Sequence, residues 1–215
     1  ILEKYGVPNY FGTQRFGRQL ENLSEAMAML RHPEKQVRVS QKNREKRSIL
    51  YSAARAYVFN QLLSRRVSNE NWSRYVEGDV MNLNGSKRFF TVATGSWGQE
   101  LIDRLDCLDI HPTGVLPGKP KTKNRYVTHG KAADIEKAVC EESSEIVDRL
   151  TLFNVEEGRR PLRFKIEQLV WQWLDPRTLE LSFSLPTGAY ATSVLRELCR
   201  FEGLSDADNS HHLSR

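Results

Sequence analysis

The chain has 215 residues with 39% hydrophobic and 27% charged residues, enough for one large or two small domains with a real core. It has no run of about 18 apolar residues and no secretory pattern at its start, so we expect a cytoplasmic protein without a membrane span. Its three cysteines (Cys107, Cys140 and Cys199) form no C-x-x-C pair and its histidines lack metal-ligand spacing, so we predict free thiols and no metal site.

The predicted elements of the first part of the chain are mainly helical. Residues 1–16 are rich in glycine and aromatic residues, and we predict a loop with short extended pieces. Two apolar runs around Asn84-Gly85, a strong turn signal, predict a hairpin over 79–92. The three prolines and three glycines of 111–130 predict a long loop. Apolar residues at helical spacing predict helices over 18–31, 43–67, 97–106 and 131–152.

The character of the sequence changes near Gly158, where alternation of apolar and polar residues begins. Residues 162–173 predict extended chain, a turn is predicted at 175–178, and the strict alternation of 179–185 predicts a second strand. A last helix is predicted over 189–201. A helix-rich middle section thus stands between a short start and a sheet-bearing end, the order that an inserted domain would give.

The net charge is +5, and the basic residues are concentrated in two segments rather than spread evenly along the chain. Arg31 to Arg66 holds ten Lys or Arg and two acids, and Pro117 to Lys131 holds five Lys or Arg and no acid. Such segregation suits a polyanion partner such as RNA. A solvated basic surface without a ligand is the alternative that composition leaves open.

Four short motifs carry more information than the composition does. They are GVPNYFGTQRFG (Gly6–Gly17), KRSILYSAARAYVFN (Lys46–Asn60), Gly78-Asp79 and LPTGAYATSVLRE (Leu185–Glu197). In type and in order, these segments resemble the motifs of the TruD family of tRNA pseudouridine synthases.

The resemblance implies an α/β (α+β) fold. In this family, a mostly helical TRUD domain is inserted into a mixed-sheet catalytic domain of the pseudouridine synthase type. On that template, residues 1–14 and 159–215 belong to the catalytic domain and residues 15–158 form the insertion. The second boundary agrees with the change in composition near Gly158.

The resemblance also implies isomerisation of uridine to pseudouridine in tRNA, at the D-arm uridine at position thirteen. The reaction involves no redox change or energy source, so no cofactor and no metal are expected, and the complete protein is expected to be a monomer. The target base must leave its stack, and an aromatic ring can offset part of that cost. Tyr190 occupies the family position, usually Phe, that supplies this ring.

The catalytic aspartate of the family lies in a G-x-KD-x-x-A-x-T motif that this sequence lacks. Asp79 and Asp175 lie in other contexts, where capping or turn chemistry explains them. We therefore assign no catalytic residue in this chain, place the nucleophilic aspartate upstream of Ile1, and predict that the 215 residues alone are inactive.

The remaining candidate residues each have a structural alternative. Wall residues of the active site are predicted at Asn9, Phe11, Thr192 and Arg196; the alternatives are a tight aromatic loop, helix capping and an ordinary salt bridge. Arg15 could bind phosphate or pair with a carboxylate. The predicted RNA-binding residues are Arg15, Lys46, Arg47, Arg55, Lys119, Lys121 and Lys123. Trp171 and Trp173 are predicted to be core residues rather than stacking platforms.

Two functions from different classes fit these observations. The first is a tRNA pseudouridine synthase to which further, upstream sequence contributes. The second is a non-catalytic RNA-binding module of the same family. An upstream reading frame with the G-x-KD-x-x-A-x-T motif would favour the enzyme, and a start codon at Ile1 would favour the module.

Overall fold

The computed structural model describes residues 2–32, 41–120 and 126–199, and for residues 41–43 the backbone alone. The helices are α1 (Leu2–Tyr5), α2 (Thr13–Phe16), α3 (Glu21–Arg31), α4 (Gln41–Ser68), α5 (Gln99–Asp106), α6 (Gly130–Glu142), α7 (Ser144–Leu152) and α8 (Ala191–Leu198). The strands are β1 (Val7–Pro8), β2 (Val80–Leu83), β3 (Phe89–Thr91), β4 (Ile110–Leu116), β5 (Gly158–Pro161), β6 (Arg163–Phe164), β7 (Glu167–Asp175) and β8 (Thr178–Ser184). This mixture of helices and small sheets confirms the predicted α+β class.

The sheets are all antiparallel. One has four strands in the order β3-β2-β4-β5, and two others pair β1 with β6 and β7 with β8. Because β1 pairs with β6, the start of the chain lies beside the segment that leads to the last hairpin. The predicted boundary between residues 158 and 159 falls inside β5, which pairs with β4, and the division into domains stays a prediction.

Helix α4 is buried on two sides. Leu50, Ala54, Val58 and Leu62 pack with α3, α6 and α7 in one apolar cluster. Ala53, Ala56, Phe59 and Leu63 pack in a second cluster with the loop at 10–16 and with Leu162. The small alanines let neighbouring elements approach closely, so this helix is the central support of the described fold.

Most predicted elements are confirmed, with shifts at their ends. The helix predicted over 18–31 begins as a 3-10 turn and becomes α3, and the helix predicted over 43–67 is α4. The hairpin at 79–92 is present, and the helix predicted over 131–152 is divided at Ser143 into α6 and α7. Residues 200–201, the end of the last predicted helix, lie outside the described residues.

The prediction of a long loop over 111–130 is wrong for its first part. Residues 110–116 form β4, a strand inside the four-stranded sheet. Pro112 and Gly114 suggested a loop, but Pro112 uses its carbonyl, which accepts the Leu162 N–H at 2.8 Å. Gly114 is required by packing, because a Cβ there would lie 2.7 Å from Leu62 Cδ2. Proline and glycine therefore occur in this strand for reasons of contact and not of turn formation.

Most residues of the β7–β8 hairpin are exposed. Trp171 and Trp173 are 62% and 61% exposed, so the prediction that they are core residues is wrong for this structure. With Leu2, Leu179, Leu181 and others they line an apolar groove of about 320 Å³. In the described part of the chain, no helix combines the length and apolar character that crossing a bilayer requires.

Candidate functional site

Two motif segments that are far apart in the sequence meet in the structure. The loop Asn9–Gly12 packs against the segment that precedes and begins α8. A Cβ on Gly12 would lie 2.7 Å from Thr192 Oγ1 and 3.3 Å from Tyr190 Cδ1, so only glycine fits there without displacement. The Phe11 and Tyr190 rings lie with centroids 6.1 Å apart and planes tilted by 60°. The two motifs thus build one aromatic site.

Arg15 holds the Tyr190 hydroxyl. Its Nε and Nη2 donate to the Tyr190 oxygen at 3.1 and 2.9 Å, and its Nη1 donates to Ser52 Oγ at 3.1 Å. The sequence left phosphate or a carboxylate as the partner of Arg15. The hydrogen bonds of the structure go instead to two hydroxyl groups, and they fix the orientation of the Tyr190 ring.

Helix α4 fixes the position of Phe11. Asn60 Oδ1 accepts the Phe11 N–H at 2.9 Å, and Asn60 Nδ2 donates to the Phe11 carbonyl at 3.0 Å. Phe59 packs edge-on against the Phe11 ring, with centroids 5.6 Å apart. Phe59 and Asn60 end the second motif, and Ser52 lies inside it. This motif therefore supports the site through side chains that sequence analysis did not single out.

Arg160 joins the site although the sequence motifs do not include it. Its guanidinium carbon lies 4.0 Å from the Phe11 ring centroid, and it donates to the Asn9 carbonyl, to Asn9 Oδ1 and to the Gly188 carbonyl at 3.1, 2.5 and 2.9 Å. Burial, and to a smaller extent Arg15, lowers the pKa of Arg160 to about 10, while Tyr190 opposes this shift. The residue stays charged at neutral pH and joins the two motif segments. An Arg-Arg pair directly after Gly158 was the signal available in the sequence.

The other predicted wall residues have defined places. Asn9 is 5% exposed, and its amide donates to the Pro161 carbonyl and accepts from Arg160. Thr192 Oγ1 is buried and has no hydrogen-bond partner among the described residues, whereas the neighbouring Ser193 Oγ donates to the Tyr10 carbonyl at 3.1 Å. Arg196 lies over the ring of Tyr10, 5.6 Å from its centroid. Thr192 is therefore the wall residue with unused hydrogen-bonding capacity beside Tyr190.

The predicted RNA-binding residues on α4 differ in their contacts. Lys46 pairs with Glu25 at 2.5 Å on the surface. Arg47 Nη2 donates to the Tyr51 hydroxyl at 2.9 Å, and Arg47 Nε is buried without a partner among the described residues. Arg55 donates to the carbonyls of Leu116 and Pro117, and burial lowers its pKa. Of the three, Arg47 has the most capacity left for an anion.

The remaining predicted cations lie after β4. Lys119 is exposed, and its Nζ donates to Asn154 Oδ1 at 2.6 Å. Lys121 and Lys123 lie outside the described residues. Asn154 lines a cleft to which Arg47 and Arg55 also contribute, so Lys119 lies at the margin of the same basic surface.

The Gly78-Asp79 motif lies apart from this site and has a structural role. Asp79 is 1% exposed and accepts from Arg66 Nη1 and Nη2, each at 2.9 Å, and from the Val76 N–H at 2.8 Å. Gly78 has φ +88°, and a Cβ there would lie 1.7 Å from the His129 carbonyl oxygen. Turn chemistry, the alternative left open by the sequence, is present in the bond to Val76. The buried ion pair with Arg66 adds to it.

The chemistry that the site offers is stacking and hydrogen bonding. The described contacts of the Tyr190 side chain include the Phe11 ring and the Arg15 guanidinium. No group of three or more His, Cys, Asp or Glu side chains that could hold a metal occurs within residues 2–32, 41–120 and 126–199. The three cysteines are free thiols, and burial raises the pKa of Cys140 to about 11.

Comparison with known proteins gives consistent matches. The family model described as tRNA pseudouridine synthase D (TruD) matches residues 22–198. The chain is 40% identical over 197 residues to tRNA pseudouridine synthase D of Methylococcus capsulatus, covering 92% of this chain and 52% of that protein. It is 38% identical over 214 residues to tRNA pseudouridine synthase D of Proteus mirabilis, covering 97% of this chain and 56% of that protein. The chain thus spans about half the length of the curated relatives that it matches.

A solved structure shares the fold. The crystal structure of the putative tRNA pseudouridine synthase D from Methanosarcina mazei matches with a TM-score of 0.57 and 20% identity, covering 92% of this chain and 62% of that one. At that identity the likeness concerns the fold alone.

Proposed function

Because the chain belongs to the tRNA pseudouridine synthase D family, we propose that it forms part of an enzyme that isomerises uridine to pseudouridine in tRNA. The observation that carries the proposal is the meeting of two remote motif segments at Tyr190, where Arg15 and Phe11 orient the ring. The finer proposal, taken from the family resemblance, is that the target is the D-arm uridine at position thirteen.

In this proposal the chain binds and presents the base, and the nucleophilic aspartate comes from sequence upstream of Ile1. Extruding a base from its stack costs a few kcal/mol, and stacking on one aromatic ring returns about 1–3 kcal/mol. Tyr190 would supply that ring, and Arg15 would keep it from rotating. Thr192 Oγ1, buried and without a described partner, would hydrogen-bond an edge of the extruded base.

The test of the activity uses two proteins: the 215-residue chain and the product of the complete reading frame that encodes it. Each is incubated with unmodified tRNA, and pseudouridine is mapped by chemical modification and primer extension. We expect the complete product to form pseudouridine and the chain alone to form none. Product from the isolated chain would show that a nucleophile was overlooked, and no product from either would favour the non-catalytic RNA-binding module.

The test of the site is the substitution Tyr190→Ala in the complete protein. Losing the stacking ring should lower kcat by about 5- to 150-fold, the equivalent of 1–3 kcal/mol, while tRNA affinity stays within about threefold. The matched control is Tyr190→Phe, which keeps the ring and removes only the acceptor of Arg15. A large loss of tRNA affinity with unchanged kcat would remove Tyr190 from the reaction site.

A further inference from the structure

A second cleft opens beside the Tyr190 site, between the first half of α4 and the turn after α7. Its volume is about 480 Å³, within the range of roughly 300–1,000 Å³ typical of small-molecule sites. It is lined by Arg44, Arg47, Ser48, Tyr51, Ser52, Arg55, Phe153, Asn154 and Val155. The aromatic site and the cleft are adjacent, because Ser52 lines the cleft and accepts a hydrogen bond from the same guanidinium that holds Tyr190.

The cleft is cationic. Three of its nine lining residues are arginines and, in this described set, none is acidic. Arg55 is occupied by backbone carbonyls, so the cations available to a ligand are Arg44, which is exposed, and Arg47. The buried Nε of Arg47 has no described partner, and an unsatisfied buried donor is costly until an acceptor reaches it. A phosphate oxygen is an acceptor of the right charge.

The cleft also has an aromatic wall. Tyr51 and Phe153 stack on each other with centroids 5.7 Å apart and planes 29° from parallel, and both are half-buried. The Tyr51 hydroxyl accepts from Arg47, whose guanidinium carbon lies 5.7 Å from the ring centroid. A pure phosphate site has no use for such a ring pair, whereas a nucleotide presents a phosphate and an adjacent flat base.

We propose that this cleft binds a second nucleotide of the RNA, distinct from the one at Tyr190. Arg44 and Arg47 bind its phosphate, and its base stacks on the Tyr51–Phe153 pair. The inference rests on the proposed function for its choice of RNA as the ligand. It adds a separate contact that holds the strand beside the extruded base.

The experiment measures binding of two single-stranded probes to the chain by fluorescence anisotropy. One probe is an eight-residue oligouridylate, and the other is an abasic ribose-phosphate oligomer of the same length. Arg47→Gln should weaken the binding of both probes by about 5-fold or more, because it removes a phosphate contact. Tyr51→Leu should weaken the oligouridylate by about 5- to 100-fold and the abasic probe by less than about twofold, because only the former has bases to stack.

The controls distinguish an effect on this cleft from a general effect of positive charge and from unfolding of the variant. Lys137→Gln removes one cation from an exposed ion pair on α6, outside the cleft, and should change neither affinity by more than about twofold. Circular dichroism melting identifies any variant that fails to fold. If Tyr51→Leu does not fold, Phe153→Leu replaces it with the same expected selectivity between the probes.

Three results would contradict nucleotide binding in the cleft. They are equal effects of Lys137→Gln and Arg47→Gln on affinity, equal effects of Tyr51→Leu on the two probes, and no binding of either probe. The proposed isomerase is judged separately, because pseudouridine formation by the complete protein is measured with other substrates and another readout. If the Tyr51→Leu variant of the complete protein isomerises uridine normally and Tyr51→Leu weakens both probes equally, nucleotide binding in the cleft is refuted and the proposed function is unaffected.

Discussion

His111 shows what burial does to a single titratable side chain. It is 2% exposed in β4, and its Nε2 lies 3.0 Å from Asn84 Oδ1. Burial, with a smaller contribution from Arg163, lowers the pKa of His111 to about 3. The unfolded chain, with an ordinary histidine pKa of about 6.5, binds the proton more tightly than the folded protein does. Protonation therefore favours unfolding.

We predict that His111 contributes a pH dependence to the stability of the chain. Its contribution should be fully present above about pH 6.5 and should fall by about 1.4 kcal/mol for each pH unit as the pH drops toward 3. Urea unfolding at pH 7, 6 and 5 measures this, comparing the chain with His111→Gln. The variant should lose less stability on acidification. Identical slopes for the chain and the variant would contradict the shifted pKa of His111.

At the residue scale, the sequence indicates which segments form the candidate site. It says less about the contacts that each side chain makes. The motifs led to Tyr190, Phe11 and Arg15, which the structure brings together. They could not reveal Asn60 or Arg160, because a bidentate amide clamp and a cation over a ring depend on spacing in three dimensions. The roles proposed for these residues in RNA binding stay predictions.

At the element scale, the C-terminal end of α4 is fastened by the Arg66–Asp79 pair. Arg66 also donates to the carbonyls of Asn71 and Arg74, so one guanidinium ties the helix to the loop that follows it. Burial raises the pKa of the Asp79 carboxyl, and Arg66 opposes that rise. Removing either partner would leave a buried charge without its counterpart.

We predict that Asp79→Ala lowers the free energy of unfolding by about 3–5 kcal/mol, as is typical when one partner of a buried pair is removed. The matched control is Glu142→Ala, which breaks the exposed pair of the neighbouring Arg65, and should cost less than about 1 kcal/mol. Denaturant unfolding compares the two variants. A double variant, Arg66→Met with Asp79→Leu, should recover part of the loss, and similar small losses for Asp79→Ala and Glu142→Ala would argue against the role of the pair.

The elements that the sequence predicted best are those with strong local periodicity. Helix α4 and the hairpin of β2 and β3 follow directly from apolar spacing and from the turn at Asn84-Gly85. Strand β4 was missed because Pro112 and Gly114 are local loop signals, and tertiary contacts determine its conformation. The exposure of Trp171 and Trp173 could not be predicted from the sequence either, because alternation of apolar and polar residues does not show whether a strand face is covered.

At the scale of the whole molecule, the distribution of charge sets the expected response to salt. Arg15, Arg47 and Lys119 lie at or beside the two adjacent sites, and Arg44 and Arg55 also line the cleft. If RNA binds there, each phosphate contact displaces condensed counterions.

We predict that the affinity of the chain for tRNA falls steeply with salt. Four to five phosphate contacts would give a slope of log K against log salt near −3, or a loss of about 60-fold between 50 and 200 mM. Filter binding at several salt concentrations measures the slope. Arg47→Gln should reduce its magnitude by nearly one unit and Lys137→Gln should not, and a flat dependence would argue against a phosphate-binding surface.

The length of helix α4 has a mechanical consequence. It runs unbroken through 28 residues, with the cleft at one end and the Arg66–Asp79 pair at the other. Arg44 and Arg66 are separated by about 33 Å of helix. The residues between them pack against α3, α6, α7 and the loop at 10–16, so the helix is held along its length. The cleft therefore depends on the packing of a whole helix and not only on the residues that line it.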